Sequence, residues 1–336
     1  MGHLERFLLF LFVTAVPGTL SAQVWWTNDP QLNCGPYTRV TYPNSAVSCQ
    51  RYGVFPWYAA GAGWKSQIPV FLPPVPPIAG QTRGVLVKLS LGAGGNFTSF
   101  LGGPNGVYDY ASGTQAIVGS AASVRFDIQN GAFCNTSCSA NSGLAFGPLW
   151  FTIDAPDVAS LQAASLQLIY LFGGDPAAFG NNTWQVAVPP IFNDQAVAKW
   201  MSSFSETPTE LRFGNVNSST MAFAVTNLSP QAQSVQVTLY DQYGHLLIEK
   251  TTPVLAAGAQ IGTQVRPGGV FADTFLNFFG LSLNMLSDPD AAGDAQRTLT
   301  IDGTVMFRSA NGQPIAPLAV RSSGRSNTVL LVTPTP

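Results

Sequence analysis

Apolar and polar positions alternate with a period of two along much of the chain, the pattern of a strand with one buried and one open face. The clearest run is Ser234 to Tyr240: Val235, Val237 and Leu239 point one way, Gln236, Thr238 and Tyr240 the other. Similar runs predict strands over residues 63–71, 84–91, 123–128, 149–153, 165–172 and 182–188, then 221–227, 245–249, 299–307, 315–321 and 328–332. Turn chemistry separates them. Leu72-Pro73-Pro74-Val75-Pro76-Pro77 admits no helix, and Asp241-Gln242-Tyr243-Gly244 is a tight turn with glycine late in it. Helix is expected over one or two turns at Asp273 to Phe279, and over a short stretch within Gln195 to Ser203. Short strands at roughly ten-residue spacing indicate antiparallel sandwiches or barrels. The expected fold class is all-β.

The N-terminus reads differently. A short polar start leads into Phe7-Leu8-Leu9-Phe10-Leu11-Phe12-Val13, which Pro17 and Gly18 break before Leu20-Ser21-Ala22. This is the layout of a secretory signal peptide, residues 1–22. The run is too short for a membrane span, which needs about 20 apolar residues. No later run reaches that length, so no membrane insertion of the mature chain is expected. The mature chain has about 314 residues, enough for two domains. Residues 23–56 form an aromatic, disulfide-stapled lead-in, 57–203 a first β-sandwich with an insertion, and 204–336 a second. The polar stretch from Asp194 to Pro208 is taken as the linker. Trp64 to Phe71 and Ser219 to Val225 occupy matching places in the two halves, which suggests diverged copies. A strand followed by a turn and an apolar segment also closes each half, at Leu166 to Phe172 and Gly303 to Phe307.

Charged residues make up only 10% of the chain and net charge is −2, without a basic run. Nucleic-acid binding needs a positive patch, and none is visible. Cys34, Cys49, Cys134 and Cys138 form an even set behind an export signal, which favours disulfides. Three pairings are possible. Cys34–Cys49 and Cys134–Cys138 are expected, because each closes a local loop. A metal site at Cys134 and Cys138 would need two further soft ligands.

The run "MAFAVTNLSPQAQSVQVTLYDQYGHLL", with "VLAAGAQIG" and "GTVMFRSANGQPIAPLAVR", resembles an Ig-like module of exported bacterial proteins. The likeness spans Leu211 to Val332. The first half shares it through "YAAGAGWKSQIPVF" and the strand near Leu166, and departs by the insertion Gly92 to Gly147. The resemblance implies two Ig-like antiparallel β-sandwich domains in tandem, surface or extracellular, of an adhesion type. It brings no catalytic residues and no cofactor.

Candidate chemistry is sparse. A nucleophilic triad needs a base, usually histidine, and His245, the one histidine after residue 22, follows a turn and is expected on an exposed hairpin. A glycosidase needs two carboxylates across a cleft. The three mature glutamates, Glu206, Glu210 and Glu249, fall at the linker and on an edge strand, and Asp154 and Asp157 flank Pro156 as turn residues. Asp288, Asp290 and Asp294 share a loop with Gly293 and could hold Ca²⁺, although their spacing is not that of an EF-hand. Aromatics crowd the lead-in. Trp25, Trp26, Tyr37, Tyr42, Trp57 and Tyr58 either cover the first sandwich or offer a binding surface. The expected function is a non-catalytic protein, secreted or at the cell surface, or periplasmic, that contacts a protein or glycan. A structural spacer and a carbohydrate-active enzyme are the alternatives.

Overall fold

A computed structural model describes residues 27, 29–42, 45–60, 64–76, 83–91, 108–110, 113–129, 132–134, 145–172, 184–206, 219–261, 264–280, 301–323, 326–330 and 332–335. The expected signal peptide, Trp25, Trp26, Cys138 and the Asp288, Asp290 and Asp294 loop lie outside them.

The chain is mostly strand, and every pairing among the described residues is antiparallel. The first half contains β1 (Thr38–Thr41), β2 (Val47–Ala60), β3 (Trp64–Leu72), β4 (Gly84–Leu91), β5 (Tyr108–Tyr110), β6 (Gly113–Gly119), β7 (Ala122–Gln129), β8 (Ala132–Cys134), β9 (Ala145–Ala155), helix α1 (Val158–Ala163), β10 (Ser165–Leu166), β11 (Leu168–Phe172), β12 (Trp184–Val188) and β13 (Ile191–Phe192). One sheet runs β1-β2-β9-β4-β6-β5, with β13 on β2; the other runs β12-β11-β3-β7-β8. Val85, Val87 and Leu89 of one sheet and Ile68 and Val70 of the other close a single buried core. Pro69 sits within β3 and has no N–H to donate. The neighbouring strand breaks there: β10 pairs as far as Val70 and β11 resumes at Gln67.

The second half contains β14 (Lys199–Glu206), β15 (Ser219–Asn227), β16 (Val235–Asp241), β17 (Leu246–Thr251), β18 (Gln260–Ile261), β19 (Gln264–Val265), β20 (Val270–Thr274), helix α2 (Phe275–Phe279), β21 (Ile301–Ser309), β22 (Ile315–Ser323), β23 (Ser326–Leu330) and β24 (Val332–Pro334). Its sheets run β17-β16-β21-β14-β24 and β20-β15-β22-β23. Val225, Val237, Leu239, Val305 and Phe307 are buried between them, as their alternation predicts. Thr238, expected on the open face, is buried as well, and its hydroxyl donates to Glu249 Oε2 at 3.2 Å. Phe223 centres the core, with its ring 4.7 Å from Phe275, 5.2 Å from Phe278 and 5.6 Å from Phe307. The expected helix before Gly280 forms as α2, where Thr274 Oγ1 accepts from Asn277 N at 3.2 Å and Gly280 takes the left-handed cap at φ 71°.

The two halves are wound alike. Eight strands taken in chain order, β2, β3, β4, β6, β7, β9, β11 and β12, correspond to β14, β15, β16, β17, β20, β21, β22 and β23. The sheet β2-β9-β4-β6 then matches β14-β21-β16-β17, and β12-β11-β3-β7 matches β23-β22-β15-β20. The match of Trp64–Phe71 with Ser219–Val225 falls on β3 and β15. The match of Leu166–Phe172 with Gly303–Phe307 does not hold, because β11 corresponds to β22 and not to β21.

Two boundaries differ from expectation. Residues 47–56, read as lead-in, belong to β2, which pairs along β9 from Cys49 to Ala60. Residues 199–206, read as linker or helix, are β14, paired with β21 on one side and β24 on the other. The boundary drawn after Ser203 therefore falls inside a strand. Its alternation buries Trp200, Ser202 and Phe204.

The halves meet along the face of β9. Asp154, buried and not in a turn, pairs with Lys88 Nζ at 2.7 Å and accepts from Gln50 Nε2. Gln264 of the second half donates in turn to Gln50 Oε1. The Arg266 guanidinium lies 5.0 Å from the Trp150 ring, and Thr226 Oγ1 donates to Pro56 O at 2.8 Å. Gly53 lets β13 pass close: a Cβ there would stand 2.6 Å from Ile191 O.

Candidate functional site

The outer face of the second half's five-stranded sheet carries the candidate site. Because Trp200, Phe307, Val235 and Val237 turn inward, Lys199, Arg308 and Gln236 turn outward. Register aligns them. Lys199 is opposite Arg308, Arg308 opposite Gln236, and Gln236 opposite Thr251, while Thr335 N donates to Lys199 O at 3.0 Å. One row of side chains thus crosses four strands and reaches Thr335, one residue past β24. It floors a depression of about 790 Å³, whose wall includes Ser309.

The chemistry of this row is polar and cationic. Directly opposed residues have Cβ atoms about 4.5–5.5 Å apart, and like charges so placed repel. Lys199 and Arg308 are such a pair. Thr335 Oγ1 is buried without a hydrogen-bond partner among the described residues, at the edge of the same depression. Ser309 Oγ is engaged from behind, accepting from Gln313 N at 3.0 Å and donating to Gln233 Oε1.

The residues singled out from sequence lie elsewhere. Cys34 and Cys49 form the expected disulfide, with sulfurs 2.06 Å apart. Cys134 ends β8, and its pairing with Cys138 lies outside the described residues. Tyr58 is fully buried beneath the first core, and burial pushes its hydroxyl well above the usual tyrosine value. It offers no contact surface. Tyr37 and Trp57 are half-buried and pack on the same core. Tyr37 lies 5.5 Å from the Arg51 guanidinium, and Trp57 O accepts from the Tyr170 hydroxyl. Tyr42 is half-buried with its hydroxyl 3.3 Å from Ser48 Oγ. Tyr58 is thus part of the first half's core, and Tyr37 and Trp57 cover it.

His245 stands exposed on the β16–β17 hairpin, its Nδ1 3.0 Å from Asp241 Oδ2. Glu249 is exposed on β17. Asp157 caps α1, accepting from Ser160 N at 2.8 Å, and lies 3.7 Å from Arg83. Among the described residues no helix is long and apolar enough to cross a membrane.

Lys199 escaped notice in the sequence because it fell in the supposed linker, and Arg308 because outward charge on a strand is commonplace. Comparison with protein-family models, with curated proteins and with solved structures finds no match.

Proposed function

We propose that the mature chain is a non-catalytic protein of the cell exterior, secreted or surface-held, built from two Ig-like modules and contacting a protein or glycan through its second half. The observation that carries this reading is the outward row Thr335, Lys199, Arg308, Gln236 and Thr251 over a depression of about 790 Å³. Strands fix the spacing of these groups, so a partner meets a preformed polar surface. The repeated strand order and the Cys34–Cys49 bond support an exported tandem-module protein. The winding has its own variation. In an Ig constant domain the first two strands share a sheet, whereas β14 and β15 lie in opposite sheets, as do β2 and β3.

A spacer role in a larger exterior assembly is the second reading. The side-chain chain Lys88–Asp154–Gln50–Gln264 favours it, because it ties one half to the other. Screening the mature protein on glycan arrays and against envelope extracts, beside an Arg308→Ala variant with an unchanged melt, separates the two. The contact reading expects a specific ligand whose binding falls with the substitution. Binding that ignores Arg308→Ala, or no binding at all, overturns it.

A further inference from the structure

Resting on that reading, we infer that the protein met by this face is a second copy of the same chain, docked face to face about a two-fold axis that crosses the strands. The first argument is the polarity of β21. Val305 and Phe307 are buried inward, so Asp302, Thr304, Met306 and Arg308 turn outward. Arg308 and Asp302 are both exposed, and neither forms an ion pair among the described residues. Six residues of strand set them about 20 Å apart, at opposite ends of the face. An axis along the strands would lay the cationic end of one copy on the cationic end of the other. An axis across them lays Arg308 of each copy on Asp302 of the other, so one ion pair forms twice. The guanidinium fork suits such a carboxylate. A face whose two ends carry opposite charges is complementary to itself, which contact with an unrelated partner does not require.

The second argument is what lies between the charges. Met201 is directly opposite Met306 in register, and one row on Ser203 is opposite Thr304. Met201 is 38% exposed, one of the few large apolar side chains the fold leaves open. With the axis between these two rows, the methionine pair of each copy lies on the short Ser203–Thr304 pair of the other. Long side chains thus meet small ones, and the unbranched thioether adapts to what it meets. Methionine and arginine are the residue types enriched at protein interfaces. Four strand spacings by six residues give a face of roughly 19 by 20 Å. That is smaller than a standard interface and belongs with weak, transient contacts, so a dissociation constant between about 10 µM and about 1 mM is expected.

The test is equilibrium sedimentation of the mature protein at low salt, from about 5 µM to about 1 mM, a range that brackets the expected constant. The mass should rise with concentration towards twice that of one chain. Arg308→Asp and Asp302→Arg, each with an unchanged melting curve, should weaken association at least about tenfold, because each sets like charges together twice. An equimolar mixture of the two variants should associate again, since every contact in the mixed pair then joins unlike charges. Raising salt to about 0.5 M should weaken association several-fold. A wild-type protein that stays a single chain at about 1 mM, variants that associate as the wild type does, or a mixture that stays dissociated overturns the inference. If the chain does not self-associate while an array or envelope ligand is still lost in Arg308→Ala, the contact function stands and the second copy alone falls.

Discussion

Replacing Lys88 by methionine tests the buried ion pair of the first half, which backs the Gln50–Gln264 contact between the halves. Lys88 Nζ sits 2.7 Å from an Asp154 carboxylate whose side chain is wholly buried, whereas the lysine side chain keeps 27% of its exposure. The two partners are therefore unequal. Lys88→Met strands a buried negative charge with only the Gln50 amide to meet it, a cost of about 3–5 kcal/mol. Asp154→Asn leaves an ammonium that can turn along its stem to water, and Gln50 can still donate, so it should cost about 1–2 kcal/mol. The double variant removes both charges together and should cost no more than about 2 kcal/mol, which implies a coupling of about 2 kcal/mol or more. Urea unfolding of the four proteins, followed by tryptophan fluorescence, reads these values. A loss below about 1 kcal/mol for Lys88→Met would refute the buried pair, as would single costs that add to within about 0.5 kcal/mol.

Further outcomes follow from other parts of the fold. Phe223→Ala empties the centre of the phenylalanine cluster and should cost about 3–5 kcal/mol in the same unfolding assay; a cost under about 1 kcal/mol would mean the rings do not pack as described. Gly53→Ala places a methyl against Ile191 O and should lower the melting temperature, where an unchanged melt would contradict the close approach of β13. Trypsin should spare the bond after Lys199 in the native protein, because β14 is paired on both sides; early cleavage there would restore the linker. Desolvation pushes Asp241 up, but the backbone and side chain of His245 and the Tyr243 amide outweigh it and hold the carboxyl below its ordinary value. Such a group stabilises the fold above its unfolded value, about pH 4, and that stability is lost as pH falls through the folded value. Hairpin amides 241–245 should thus shift below about pH 4 while core amides stay fixed, and a pH-independent hairpin would refute the pairing. Burial raises the Tyr58 and Tyr170 hydroxyls well above 10. Stability they confer is complete below pH 10 and lost as pH rises beyond it, so both should ionise together with unfolding and not before, as ultraviolet absorbance reads.

Where one face of a strand is wet, its register could be read directly. β16 shows this: Val235, Val237 and Leu239 are inward and Gln236 is not. β2 is buried along both faces near Val54 and Phe55, so no alternation marks it, and its aromatics looked like a loose lead-in. β14 hid for the opposite reason. Serines occur on both of its faces, with Ser202 inward and Ser203 outward, which blurs the period. Asp154 read as a turn because Pro156 follows it, yet its strand runs on through Ala155. The Lys199–Arg308 row was beyond reach from sequence. It depends on pairing strands about a hundred residues apart, and nothing local sets that register.

The central claim is that the outward row of the second sheet, and not the aromatic flank of the first half, is the contact surface. Nuclear magnetic resonance mapping with a ligand retained from the glycan-array or envelope screen tests it most directly. Shifts should concentrate at Lys199, Gln236, Thr251, Arg308 and Ser309, with the Arg308 side-chain resonance moving furthest. Shifts gathered instead at Tyr37, Tyr42 and Trp57, or no shifts in the row, would contradict the claim.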